Sequence, residues 1–179
     1  LLDAQAVQLG ATLQDRFGVR PGDRVGLWLK NCPEFVPAIF GVLQAGAVVV
    51  PISNFLKPDE IGYILADADI HVLITDVSMV EHQPALLGLR PQLRIWQVEE
   101  FAKPGNGDAA LVANRPSAIG HRQSEDLALI IYTSGTTGRP KGAMLTHGNL
   151  LHNVESCRQV LQAVDHDRFV VLLPMFHSF

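Results

Sequence analysis

Tyr132-Thr133-Ser134-Gly135-Thr136-Thr137-Gly138-Arg139-Pro140-Lys141-Gly142 is the stretch on which the reading of this sequence turns. It packs four hydroxyls into a near-continuous run, adds three glycines, and sets two cations on either side of a proline. Glycine lets the backbone take positive φ and approach a ligand closely, so that successive N–H groups converge on one anion. Thr133, Ser134, Thr136 and Thr137 supply hydroxyl donors, and Lys141 supplies a compact, mobile charge suited to a polyphosphate. The stretch reads as a nucleotide loop. Asp126–Tyr132 before it is an apolar run of strand length and Gly142–Thr146 after it is a shorter one, so a strand is expected at each end of the loop.

Better-known motifs do not fit. A Walker loop requires Gly-Lys-Ser/Thr opening a helix, whereas here Pro140 precedes Lys141 and Gly142 follows it. A nucleophile elbow requires glycines two residues either side of the serine, and Ser134 has Tyr132 and Thr136 there. A Gly/Ser/Thr-rich linker has the right composition but no reason to keep Pro140-Lys141-Gly142 between two apolar strands.

Upstream, the pattern alternates. Leu2, Ala6, Leu9, Leu13 and Phe17 recur at spacings of four and three and predict a helix. A turn at Arg20–Asp23 leads to an apolar strand, Arg24–Leu29. Asn31 and Pro33 mark a helix start, with Phe35, Ile39, Val42 or Leu43 and Gly46 on its inner side. Ala47–Ile52 is a second strand. Pro58-Asp59-Glu60 opens a helix with Ile61, Leu65 and Ala68 inward, and His71–Thr75 is a third strand. A weaker helix over Val77–Leu89 and a strand over Gln92–Val98 follow; Glu99–Ser124, without clear period, reads as a long surface connection. Strand and helix alternating at this length, with strands apolar on both faces, predict an α/β fold: a parallel sheet flanked by helices. Downstream, Thr146 caps a long helix whose stripe Leu150, Val154, Cys157, Leu161 and Val164 is expected to be core, and Val170–Leu173 is expected to be another buried strand.

With 179 residues, 47% hydrophobic and 18% charged, the chain holds enough apolar material for a sizeable core. A net charge of −4 without a basic cluster argues against a nucleic-acid surface. Cys32 and Cys157 give neither a disulfide framework nor metal spacing, and predict reduced thiols in a cytoplasmic protein. Phe35–Ile52 is interrupted by Pro37, Gly41, Gln44, Gly46 and Pro51, so no transmembrane segment is expected. His147 and His152 do not share a helical face and have no third ligand nearby, which disfavours zinc. The helical pattern already covers residue 1, without a Met, and the chain stops at Phe179 in the loop after the last expected strand, so the sequence reads as a piece of a longer protein.

The loop resembles the signature of the adenylate-forming superfamily: acyl-CoA synthetases, adenylation domains of nonribosomal peptide synthetases, and firefly luciferase. Gly22-Asp23-Arg24-Val25, Gly46-Ala47, Val50-Pro51-Ile52 and the run from Asn54 to Asp67 extend the resemblance over nearly the whole chain, as packing and turning positions without catalytic roles. The resemblance implies part of a large N-terminal AMP-binding domain over residues 1–179, truncated at both ends, with the small C-terminal domain absent. It implies an acid–thiol ligase that uses ATP, Mg²⁺ and coenzyme A. Ser134, Gly135, Thr136, Thr137, Gly138 and Lys141 would meet the β- and γ-phosphates, and Thr133 would share Mg²⁺ with a downstream glutamate. His177, in Pro174-Met175-Phe176-His177, would orient the carboxylate or close its site. Pro174–Phe179 looks closest to fatty acyl-CoA ligases, which implies a medium- or long-chain fatty acid and allows peripheral membrane association. An amino-acid-activating domain and a non-catalytic nucleotide-binding module are the alternatives. The remaining catalytic segments would lie beyond Phe179, so residues 1–179 alone are expected to be inactive.

Overall fold

A computed structural model of the chain describes residues 2–101, 122–133 and 139–177. Most of the expected connection over Glu99–Ser124, together with Ser134, Gly135, Thr136, Thr137 and Gly138 of the loop, lies outside the described residues.

The elements alternate as α1 (Leu2–Asp15), β1 (Arg24–Trp28), α2 (Phe35–Gln44), β2 (Val48–Pro51), α3 (Pro58–Asp67) and β3 (Val72–Thr75). A 3-10 turn (Val77–His82) then leads into α4 (Gln83–Leu89) and β4 (Arg94–Gln97); after the undescribed connection come β5 (Leu127–Thr133), β6 (Lys141–Thr146) and α5 (His147–Leu161). The strands form one sheet in the order β4-β3-β1-β2-β5-β6. The first five run parallel, in registers such as Val25↔Val49 for β1 with β2 and Val25↔Val72 for β1 with β3. Only β6 is antiparallel, paired to β5.

The apolar residues explain this arrangement. Side chains alternate across a strand, and here both sides are apolar, so each face needs a helical cover. Leu27, Leu29, Val49 and Ala128 pack with Leu9 and Leu13 of α1 and Phe35, Ala38 and Val42 of α2. On the other face Trp28, Val48, Val50, Leu73 and Ile130 pack with Ile61, Ile64 and Leu65 of α3 and Leu86 of α4. Helices therefore sandwich the sheet, in agreement with the expected α/β class.

Some local expectations fail. The weak helix begins as a 3-10 turn around Asp76, which is buried and accepts hydrogen bonds from the Ser78 N–H (2.8 Å) and the Ser78 hydroxyl. Thr146 does cap α5: its hydroxyl accepts from the Asn149 N–H at 3.2 Å and its own N–H donates to Asn149 Oδ1 at 3.0 Å. The stripe of α5, however, is not core. Leu150 is half-buried against the α1–α2 cluster, but Val154, Cys157 and Leu161 are exposed, and Val164, also exposed, lies beyond the end of the helix at Leu161. The reason is geometric. The helix is tied down at its first turn, where the His147 and Gly148 N–H groups donate to the Asp126 and Ser124 carbonyls, and it then leaves the sheet. Val170–Leu173 is likewise exposed and is no strand, since no neighbouring strand among the described residues completes its hydrogen bonding.

Helices α1 and α2 cross at two glycines. A Cβ on Gly41 would stand 2.5 Å from Leu9 Cβ, and one on Gly10 would stand 2.9 Å from Gln44 Cβ. Gly41→Val should therefore push the helices apart and lower the unfolding free energy by about 2 kcal/mol, read as a drop in denaturant midpoint. Gly88→Ala on α4, where an added Cβ meets nothing within 4 Å, should leave the midpoint unchanged or slightly raised.

Candidate nucleotide and acyl site

Parallel strands deliver the loops that follow them to one edge of the sheet, and ligands of such folds bind at that carboxyl edge. Beyond β5 lies the hydroxyl- and glycine-rich loop, beyond β2 the turn Ser53–Leu56, and beyond β1 the turn Lys30–Glu34.

The loop is the connection of a β-hairpin. β5 is buried in its first half and emerges at Thr133; β6 returns from Lys141, and the register pairs Thr133 with Lys141 and Tyr132 with Gly142. Directly opposed residues of an antiparallel pair project to the same face, with Cβ atoms about 5 Å apart. Thr133 and Lys141, both exposed, therefore stand side by side where the loop leaves the sheet. By alternation they face the side opposite Ile130 and Tyr132, which is the side where Leu129 packs with the cluster that contains Phe176.

The opposite face of the hairpin is gripped by α3. The Tyr132 hydroxyl donates to Asp67 Oδ2 at 2.5 Å, and the Tyr63 hydroxyl lies at 3.5 Å from Asp67 Oδ1. Across the loop, the Arg139 guanidinium lies 5.8 Å from the centre of the Tyr63 ring, within reach of a cation–π contact. Both ends of the undescribed stretch are thus tied to one helix. Gly142 is required here, since a Cβ would stand 2.7 Å from Ile130 Cγ2 and 3.2 Å from Tyr132 Cζ. Burial first, then the hydrogen bond and charge of Asp67, push the Tyr132 phenol above its ordinary range.

His177 reaches the same edge from the far end of the chain. Phe176 is buried among the α1–α2 cluster and meets Phe55, in the turn after β2, edge-on at 5.9 Å between ring centres. The His177 N–H donates to the Pro174 carbonyl, closing a turn that leaves the imidazole exposed at the surface beside the Phe176 ring, 6.3 Å away. Two strand spacings, about 10 Å, separate β1 from β5, so His177 and the Thr133–Lys141 pair share one stretch of edge. Among the described residues no three His, Cys, Asp or Glu side chains gather to hold a metal, and Thr133 is the last described residue before the loop. His147 and His152 sit on α5 away from this edge; burial, then the charge of Arg122, lowers the His147 pKa from its ordinary value.

Sequence reading singles out the loop and His177 but gives Asp67, Tyr63 and Arg139 no role. Asp67 and Tyr132 are 65 positions apart, and nothing local in either segment announces their contact.

The whole chain, residues 1–179, matches the family model described as AMP-binding enzyme. It is 41% identical over 164 residues to a feruloyl-CoA synthase from Amycolatopsis sp, covering 90% of this chain and 30% of that protein. It is 32% identical over 179 residues to a crotonobetaine/carnitine–CoA ligase from Salmonella paratyphi C, covering 93% of this chain and 34% of the relative. Among solved structures, ATP-bound MatB from Rhodopseudomonas palustris superposes with a TM-score of 0.79 at 28% identity, over 98% of this chain and 35% of that one. The chain therefore spans about a third of the length of the curated relatives it matches.

The Tyr132–Asp67 bond has a measurable sign. An unfolded tyrosine ionises near pH 10, whereas Tyr132 in the fold keeps its proton to higher pH. Its contribution to stability is whole below about pH 10 and declines as pH rises beyond it. In the full-length protein the Tyr132 phenol, followed by its own ring resonance, should titrate at lower pH once Asp67 is replaced by alanine. Unchanged titration in the Asp67→Ala variant would show that the bond does not form.

Proposed function

Because the chain belongs to the family of AMP-binding enzymes, we propose that it forms part of the large N-terminal domain of a longer acid–thiol ligase. The reaction is the AMP-forming activation of a carboxylic acid. A carboxylate oxygen attacks the α-phosphorus of ATP, the bond to the bridging oxygen breaks, and pyrophosphate leaves; the thiol of coenzyme A then takes the acyl group and AMP departs. The first step sets an anion against a polyanion, so the protein's task is to neutralise charge and hold the reactants in line.

The observation that carries this reading is the Thr133↔Lys141 pair at the mouth of the loop, on the edge where Pro174–His177 docks. Lys141 would balance the charge of the leaving pyrophosphate together with Ser134, Gly135, Thr136, Thr137 and Gly138. Thr133 would share Mg²⁺ with the phosphates, in keeping with the ion's preference for few protein oxygens and several from substrate and water. His177 would orient the carboxylate. Tyr132, Asp67, Tyr63 and Arg139 would hold the two described ends of the loop, Thr133 and Lys141, at the sheet.

For the acid we propose a medium- or long-chain fatty acid, the reading that Pro174–Phe179 supports. A hydroxycinnamate-type aromatic acid is the second reading, favoured by the 41% identity to a feruloyl-CoA synthase. We place the ligase in the cytoplasm: Cys32 and Cys157 are free thiols, and among the described residues no helix is long and apolar enough to cross a membrane. The exposed apolar residues of α5 and Val170–Leu173 fit contact with further parts of the domain, in line with the greater length of the relatives.

ATP–pyrophosphate exchange by the full-length protein, with fatty, aromatic and amino acids in parallel, tests the proposal. Exchange is expected with fatty or aromatic acids and should fall about a hundredfold in Lys141→Ala. ATP binding without exchange for any acid would contradict the ligase and leave a non-catalytic nucleotide-binding module.

A further inference from the structure

We infer that Asn31 is a positioning residue for the acyl side of the site, acting through the segment that carries His177; the inference rests on the ligase reading above. Asn31 lies just past β1, at the carboxyl edge. Its Nδ2 donates to the Leu173 carbonyl at 2.9 Å, and its Oδ1 accepts from the Met175 N–H at 2.9 Å. One side-chain amide thus bonds both a carbonyl and the N–H two residues on, as a neighbouring strand would. The partners lie 142 and 144 positions away in sequence.

Residue type matters at this position. Only a primary amide offers a donor and an acceptor side by side at this reach; alanine has neither, and aspartate keeps the acceptor but sets a negative charge against the Leu173 carbonyl. The amide has a firm base. The adjacent Lys30 N–H donates to the buried Asp76 carboxylate at 3.0 Å, which fixes the backbone between β1 and β3. On the far side of the bonds, Phe176 sits in the α1–α2 cluster against Phe55. Asn31 and Phe176 together set the height and direction at which the chain reaches His177. Phe176 supplies burial without direction, since an aromatic ring in an apolar pocket tolerates small shifts. The two hydrogen bonds supply direction.

The exposed position of Asn31 allows substitution without disturbing the core. Hydrogen exchange on the full-length protein should show the Met175 amide at least tenfold faster in Asn31→Ala than in wild type, and still protected in Asn31→Asp. In steady-state assays of adenylate formation, Asn31→Ala should raise the KM for the acid at least tenfold while the KM for ATP and the melting temperature stay near wild type. Asn31→Asp should fall between the two. Wild-type activity with an unchanged acid KM in Asn31→Ala would overturn the inference alone, as would a KM for ATP that rises equally. Absence of acid-dependent activity in the wild type would remove the ligase reading and this inference with it.

Discussion

Everything at the candidate site depends on the parallel pairing of β1, β2 and β5. The register Val25↔Val49 between β1 and β2, continued by Val49↔Leu129 to β5, brings three carboxyl ends to one edge in neighbouring order. Parallel strands cannot be joined by tight turns, so each return travels through a helix, and the helices fall on both faces. The same constraint that demands apolar residues on both sides of each strand therefore concentrates the polar loops at the strand ends. The turns Lys30–Glu34 and Ser53–Leu56, the Thr133↔Lys141 pair and the segment Pro174–His177 lie at that edge because the sheet leaves the chain no other exit.

The antiparallel β6 is the one departure from this pattern, and it has a use. A parallel crossover after Thr133 would have carried the chain away to the other edge. The hairpin instead returns Lys141 to the level of Thr133, so both ends of the glycine-rich loop are fixed to the same sheet. Tyr132 and Arg139, bound to Asp67 and stacked on Tyr63, add a second attachment through α3.

Much of this was legible in the residues. The alternation of strands and helices up to Gln97, the Thr146 cap and the strands flanking the loop could all be read from local signals, because period, turn residues and caps act within a few positions. What could not be read depends on distant partners. Asp67 meets Tyr132 across 65 positions and Asn31 meets Leu173 across 142, and no period or spacing encodes either contact. The stripe on α5 shows the opposite error. Leu150, Val154, Cys157 and Leu161 have the spacing of a core face, yet spacing reports which residues share a side of the helix and not whether anything covers it; here the helix departs after its first turn. Val170–Leu173 misleads in the same way, since an apolar run makes a strand only beside another strand.

Hydrogen exchange of the full-length protein with and without Mg²⁺ and ATP tests the central claim most directly, because it reports where along the backbone the nucleotide is felt. The account predicts new protection confined to the carboxyl edge: residues 132–142 first, with the turn at Lys30–Glu34 and the segment Pro174–His177 gaining when an acid is added. Protection at the opposite edge, around Gly22–Asp23 and Gly46–Ala47, with residues 132–142 unchanged at saturating ATP, would contradict it.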